Sequence, residues 1–196
     1  MTETVISIKT EKTPNPNTLK YNFNRVILPN GSAEFLNEKA AESKSPLASR
    51  VFQIAGVERV FVGTDFIAIS KKDDVEWSEI NGYLAPKLEE FFESGDQAVA
   101  GEAQAKLELN LEDMTDEEKQ TVEEIQKIIE EKVKPAVAQD GGDIVLAGYK
   151  DKVVYVKMLG ACSGCPSAGA TLKDGVENML KYFLADKIEK VVEVQE

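Results

Sequence analysis

Between Gly95 and Asp113 the chain loses the apolar periodicity that marks helices and strands. This stretch therefore divides the chain into two parts that can each form a fold. The stretch is dominated by Ala, Gly, Gln and Glu, with five acidic residues against one lysine. Such a composition predicts a flexible, solvated linker. The alternative is a short extended segment in which the alternating Leu107, Leu109 and Leu111 dock on a folded part. We therefore predict an α+β fold: two small mixed α/β domains, residues 1–94 and 114–196, joined by an acidic linker at 95–113.

The first predicted domain mixes strands with helices and contains no cysteine. Ser45-Pro46 indicates a helix start, because proline is favoured at the first helical position. Gly63-Thr64-Asp65 separates two β-branched and aromatic runs, which is typical of a hairpin. In chain order we predict strands at Val5–Ile8 and Leu19–Val26, a helix from Ser45-Pro46, strands at Val57–Val62 and Phe66–Ser70, and a helix from Trp77 to Phe91.

The second predicted domain has the order helix, strand, strand, helix, strand. Thr115 and Glu118 have the spacing of a capping box at the start of the first helix. Pro135 is expected to stop or bend that helix, and Asp140-Gly-Gly-Asp143 predicts a turn. The later elements are strands at Ile144–Tyr149 and Val153–Leu159, an amphipathic helix through Leu172 and Phe183, and a strand at Ile188–Val194.

Charge and hydropathy exclude several classes of partner. The formal net charge of −12 argues against nucleic acid and against anionic membrane surfaces, because both need clustered Lys and Arg. No apolar stretch approaches the roughly 20 residues that span a bilayer. The first residues have no basic segment followed by an apolar run, so we predict no signal peptide and a bacterial-type cytoplasmic location. The alternative is a mature protein of an organelle matrix.

The chain has two cysteines, Cys162 and Cys165, in one Cys-Ser-Gly-Cys-Pro unit, and no histidine. Without imidazole there is no Ser-His or Cys-His nucleophile pair and no histidine to complete a zinc site. The pair lies between a predicted strand and a helix start at Pro166. Backbone N–H groups and the helix dipole favour anions there, and therefore thiolates. The two thiols can form a redox disulfide, or half of a four-thiolate set whose other half comes from a second chain.

Several interpretations of this pair stay open on the residues alone: a thiol–disulfide oxidoreductase, half of a structural zinc site, half of an iron–sulfur site, or a buried thiol pair. Positions 166–196 leave room for only one helix and one strand, which is little for a thioredoxin-like fold, so shared metal ligation is favoured. Zinc and iron–sulfur clusters both accept four thiolates. A site shared by two chains opens when the dimer loosens, which suits a carrier.

Two sets of motifs resemble one known family. Asp140-Gly-Gly-Asp143 and Gly160-Ala-Cys-Ser-Gly-Cys-Pro166 look like the carboxy-terminal domain of NifU, the Nfu-type iron–sulfur scaffold. Thr13-Pro-Asn-Pro-Asn-Thr-Leu-Lys20 and Gly56-Val-Glu-Arg-Val-Phe-Val-Gly-Thr-Asp-Phe-Ile67 resemble the amino-terminal domain of the same family. The resemblance covers nearly the whole chain except the linker, with the two domains in the family's order.

The resemblance implies a scaffold or carrier that is not an enzyme. Cys162 and Cys165 would be the cluster and metal ligands, and no catalytic residue is implied. The cargo would be a labile [4Fe–4S] cluster, with [2Fe–2S] as a second option, held between the two subunits of a homodimer. The implied partners are upstream cluster-assembly proteins and apo iron–sulfur client proteins, with client recognition as a role for the amino-terminal domain.

Overall fold

The structure is a computed structural model and describes residues 6–100, 114–163 and 166–194, with the backbone alone for 166–170. The chain divides into two compact units, which we call unit 1 (Met1–Ala105) and unit 2 (Lys106–Glu196). Each unit combines helices with its own sheet. The predicted α+β class is therefore confirmed.

Unit 1 is built on a five-stranded sheet in the order β1-β2-β5-β4-β3, and its neighbouring strands pair antiparallel. Helices follow β3 and β5 in the chain. The elements are β1 (Ile8–Lys12), β2 (Thr18–Phe23), β3 (Ala33–Phe35), α1 (Glu38–Ala41), α2 (Pro46–Phe52), β4 (Val57–Val62), β5 (Phe66–Lys71) and α3 (Trp77–Ser94).

Local sequence signals account for most of unit 1. Ser45 caps α2, since its Oγ accepts a hydrogen bond from Ala48 N at 3.0 Å. The predicted hairpin is present, with Val60 opposite Ile69. The predicted first strand begins later, at Ile8, and the second ends earlier, at Phe23. The short β3 and α1 were not predicted, because three or four residues are too few to show a period.

The first residues of the predicted linker are part of the packed core of unit 1. Ala98 and Val99 are buried and belong to the hydrophobic core of this unit. Ser45 Oγ donates a hydrogen bond to Ala98 O at 2.5 Å, and Ala100 N donates to Lys44 O at 2.7 Å. The prediction of a linker that begins at Gly95 is therefore wrong for residues 95–100, because two small apolar side chains dock there. Leu107, Leu109 and Leu111 lie outside the described residues.

Unit 2 contains a three-stranded sheet in the order β6-β7-β8, together with the helices that precede and cross it. β6 and β7 are antiparallel, whereas β7 and β8 are parallel and are joined through α6. The elements are α4 (Asp116–Ile128), a π-helical turn (Ile129–Val133), α5 (Lys134–Gln139), β6 (Gly142–Lys150), β7 (Val153–Gly160), α6 (Pro166–Phe183) and β8 (Lys190–Glu193).

The start of unit 2 shows how a helix tolerates Pro135. The predicted capping box is present, since Glu118 N donates to Thr115 Oγ1 at 3.3 Å and Thr115 N donates to Glu118 Oε2 at 2.8 Å. The helical path does not stop at Pro135 but continues to Gln139, with a π-helical turn directly before it. A π turn changes the i−4 ladder in which a proline ring would otherwise collide with a carbonyl.

The predicted strand pair of unit 2 is present as the β6–β7 hairpin. Asp151 and Lys152 form its tip in left-handed backbone, with φ of 50° and 63°. The helices cover the sheet and share one hydrophobic core with it. Within the described part of the chain, no helix combines the length and the apolar character that a membrane crossing requires.

Candidate functional site

Cys162 lies in the connection between β7 and α6, as predicted. β7 ends at Gly160 and α6 begins at Pro166, so the cysteine motif occupies the junction between a strand end and a helix start. Cys165 lies outside the described residues. Its place beside Cys162, and the pairing of the two as ligands, therefore stay predictions.

The junction is shaped by two glycines with left-handed backbone. Gly160 has φ of 69° and Gly141 has φ of 84°, a region that other residues rarely adopt. Ser163 N donates to Gly160 O and Ala161 N donates to Gly141 O, both at 3.1 Å. These bonds tie the connection after β7 to the turn before β6. Gly160 therefore allows a sharp turn next to the motif.

Cys162 is buried rather than exposed. Its exposed fraction is 5%, and it belongs to the hydrophobic core of unit 2 together with Ile144, Val156 and Met158. A thiol in this setting lies next to apolar side chains that exclude water. Such surroundings protect metal–sulfur bonds from exchange with solvent.

Gly142, which no sequence pattern marked as a site residue, lies directly against Cys162. A Cβ placed on Gly142 would be 2.8 Å from Cys162 Sγ and 2.5 Å from Leu159 O. The Asp140-Gly-Gly-Asp143 motif predicted a turn but not this contact. The sequence did contain one indication of this contact, namely two consecutive glycines in the motif. The turn needs only Gly141 in left-handed backbone, so Gly142 must be a glycine for another reason.

A partly buried ion pair involves Asp143, the residue after Gly142. Asp143 is 9% exposed, and its Oδ2 is 3.8 Å from Lys134 Nζ on α5. Its Oδ1 accepts a hydrogen bond from Ile144 N at 2.7 Å. The lysine compensates the charge of this largely buried carboxylate.

The donor set of this junction consists of thiols alone. Neither sulfur has a histidine partner, since the chain contains none, and there are two thiols per chain. No group of three or more His, Cys, Asp or Glu side chains capable of holding a metal ion occurs among the described residues. A tetrahedral four-thiolate centre would therefore draw on two copies of the motif.

Comparison with known proteins identifies both parts of the chain. The family described as "Scaffold protein Nfu/NifU N terminal" matches residues 8–95, and the family described as "NifU-like domain" matches residues 125–194. A solved structure of a NifU-like protein from Saccharomyces cerevisiae is 28% identical, covers 52% of this chain and 91% of its own, and has a TM-score of 0.45.

Named relatives match along almost the whole chain. The NifU-like protein 5, mitochondrial, of Arabidopsis thaliana is 38% identical over 181 residues, which are 91% of this chain and 65% of the relative. The NFU1 iron-sulfur cluster scaffold homolog, mitochondrial, of Drosophila sechellia is 41% identical over 188 residues, 95% of this chain and 64% of the relative. The chain thus spans slightly less than two thirds of the length of these relatives.

The relatives also correct one prediction. Both are named as mitochondrial proteins, and this points to an organelle. The prediction of a bacterial-type cytoplasmic location is therefore wrong. It rested on the composition of the first residues, which says nothing about where related proteins act.

The two family matches fall in order, one in unit 1 and one in unit 2. The relatives match the same combination over more than nine tenths of this chain. The chain belongs to the Nfu-type family, in which an Nfu/NifU amino-terminal domain precedes a NifU-like domain.

Proposed function

We propose that this protein is an iron–sulfur cluster scaffold and carrier, which holds one labile cluster between two copies and passes it to apo-proteins. The observation that carries the proposal is the position of Cys162 between the end of β7 and the start of α6, in a chain whose other thiol is three residues away. A relative named as an iron-sulfur cluster scaffold homolog supports the assignment. The mitochondrial names of the relatives support an organelle as the place of action.

The number of thiols determines how the cargo is held. A [4Fe–4S] or [2Fe–2S] cluster with complete cysteine ligation needs four thiolates, and one chain supplies Cys162 and Cys165. Two chains therefore complete the ligand set, and the cargo itself joins them into a homodimer. We assign [4Fe–4S] as the cargo, with [2Fe–2S] as the alternative of equal ligand number.

Transfer takes place by ligand substitution. A client thiolate binds an iron atom of the cargo, the bond from that iron to Cys162 or Cys165 breaks, and the departing thiolate takes up a proton. Repetition at each ligand releases the cargo and lets the dimer separate. No bond of an organic substrate is made or broken, so the protein is not an enzyme. Its partners are upstream assembly proteins and apo iron–sulfur clients.

Anaerobic reconstitution with iron and sulfide tests the proposal. The parent protein should become brown, bind about four iron atoms per dimer, and change from its apo oligomeric state to a dimer on a sizing column. Cys162→Ala and Cys165→Ala should each lose most of the bound iron. Ser163→Ala is the matched control, because it changes the same connection without removing a thiol, and it should keep the cargo.

Three results would contradict the proposal. Iron and sulfide retained by a single chain would remove the shared site. A colourless protein that reduces a disulfide substrate would identify the thiol pair as an oxidoreductase. Stoichiometric zinc after purification, with no iron-dependent colour, would identify a structural zinc dimer.

A further inference from the structure

Gly142 is a glycine for reasons of space rather than of backbone conformation. The described glycines with left-handed backbone include its neighbours Gly141 and Gly160, but not Gly142 itself. A left-handed backbone therefore does not explain why glycine is present here. The absence of a side chain at this position must be explained by what lies next to it.

The space beside Gly142 is filled by Cys162 and by the end of β7. A Cβ at position 142 would be 2.8 Å from Cys162 Sγ, 3.4 Å from Cys162 Cβ and 2.5 Å from Leu159 O. Atoms of real side chains do not approach that closely, so an added methyl group would displace either the sulfur or the strand. The strand is the stiffer of the two, because Gly142 pairs with Gly160 and Asp143 with Leu159 in the β6–β7 ladder.

We propose that Gly142 is a positioning residue. Because it has no side chain, the Cys162 thiol can lie buried against its backbone, and we call this buried position of the thiol the seat. Burial in the seat limits the rate at which the thiol reacts. With 5% of the residue exposed, an outside atom reaches Sγ only after the thiol leaves the bare backbone of Gly142. The sulfur is part of a filled hydrophobic core, so a side chain at position 142 pushes it toward the surface. As far as it concerns cargo loading, this inference rests on the proposed function.

The alkylation rate of Cys162 in the metal-free protein measures how readily its thiol leaves the buried position against Gly142. A Cys165→Ala background leaves Cys162 as the single thiol, and its reaction with iodoacetamide is followed by mass spectrometry. We expect Gly142→Ala to raise the alkylation rate about tenfold or more, because the seated state is no longer available. An unchanged rate in a folded Gly142→Ala protein would overturn the proposal.

Gly148 provides a matched control on the same strand. A Cβ at position 148 would lie 3.5 Å from Tyr155 Cδ2, which is an ordinary contact, and Gly148 also has no left-handed backbone. Gly148→Ala should therefore change the alkylation rate less than about twofold. An equal increase for Gly148→Ala and Gly142→Ala would show a general loosening of β6, and would also overturn the proposal.

A second comparison covers the case in which Gly142→Ala fails to fold. The added methyl group also presses on Leu159 O, and this contact remains when the sulfur is removed by Cys162→Ala. If Gly142 seats the thiol, Gly142→Ala should lower the melting temperature by at least about 4 °C more in the parent than in the Cys162→Ala background. Equal decreases, or failure to fold in both backgrounds, would assign the whole effect to Leu159 and sink the proposal.

The proposed role of Gly142 and the proposed scaffold function are tested by different measurements, so one can be contradicted without the other. Alkylation and melting are measured without iron, so they report on the seat even if reconstitution gives no cluster. Unchanged alkylation in Gly142→Ala, together with normal iron uptake by the parent, would remove the seat and leave the scaffold function standing.

Discussion

Each unit contains a strand end that leads into a long helix, and only the connection in unit 2 contains cysteine. In unit 1, β5 ends at Lys71 and leads into the 18-residue helix α3; in unit 2, β7 ends at Gly160 and leads into the 18-residue helix α6. The first junction is closed by its own polar groups. Lys72 N donates to Gly56 O at 2.9 Å, and the Glu79 carboxylate accepts from Glu76 N at 3.2 Å. The second junction contains the thiol motif.

The difference shows that the architecture alone does not make a site. A strand end followed by a helix start favours anions in both units, because helix N–H groups point toward the connection. In unit 1 an acidic side chain of the helix itself occupies this position. In unit 2 the connection after β7 carries Cys162 instead, and Gly142 leaves room for its sulfur.

The largest expected effect comes from creating a cavity in the hydrophobic core of one unit at a time. Leu88 in unit 1 and Ile125 in unit 2 are both fully buried, and they belong to separate hydrophobic clusters. Leu88→Ala and Ile125→Ala should each cost about 2–5 kcal/mol of unfolding free energy, because each leaves a cavity. Differential scanning calorimetry should show two transitions, with each variant lowering one of them.

Each of these variants serves as the control for the other. The transition that Leu88→Ala lowers should stay in place in Ile125→Ala, and the reverse should also hold. A single transition that both variants lower equally would contradict the division into two independently stabilised units.

A smaller effect is expected where unit 1 ends. Ser45 is fully buried; its Oγ caps α2 through Ala48 N and donates to Ala98 O. Ser45→Ala should cost about 1–3 kcal/mol, because it removes the cap and leaves a buried carbonyl without this donor. Hydrogen exchange at the Ala48 and Ala100 amides should become faster.

Asn37 is the matched cap on the surface of the same unit. Its side chain accepts from Ala40 N at 2.9 Å at an exposed position, so Asn37→Ala should cost only about 0.5–1 kcal/mol. Unchanged exchange at Ala100 in Ser45→Ala would mean that Ser45 does not hold residues 95–100 against unit 1.

Local chemistry explains why much of the fold was predictable. The Ser45-Pro46 helix start, the Gly63-Thr64-Asp65 hairpin and the Thr115 capping box each depend on residues within a few positions of one another. The docking of Ala98 and Val99 depends on a core that distant parts of the chain build. A short run of small apolar residues carries no sign of that core, and its composition resembles a linker.

The candidate site shows the same limit. The place of Cys162 after a strand and before a helix follows from neighbouring residues, and it was predicted. The contact with Gly142 arises because the β6–β7 register brings position 142 opposite position 160. A contact between two residues far apart in the chain is hard to predict from one sequence. Here its only sign is a second glycine that the turn does not need.

The smallest expected effect tests how β8 is attached to unit 2. The Glu177 carboxylate on α6 accepts from Lys181 Nζ at 2.6 Å and from Val191 N at 2.8 Å. These two hydrogen bonds, of which the one from Lys181 has the larger effect, lower the pKa of Glu177 below its ordinary value of 4.5.

Because the pKa of Glu177 is lower in the folded state, its stabilising contribution is complete above the unfolded pKa and is lost as the pH falls through the folded pKa. Glu177→Gln should therefore cost about 0.5–1 kcal/mol near neutral pH, and its difference from the parent should shrink as the pH is lowered below about 4.5. The control is Glu189→Gln at an exposed position of the same unit, and chemical denaturation at a series of pH values provides the measurement. A Glu177→Gln difference that stays constant down to low pH would show that the carboxylate charge does not hold β8 to α6.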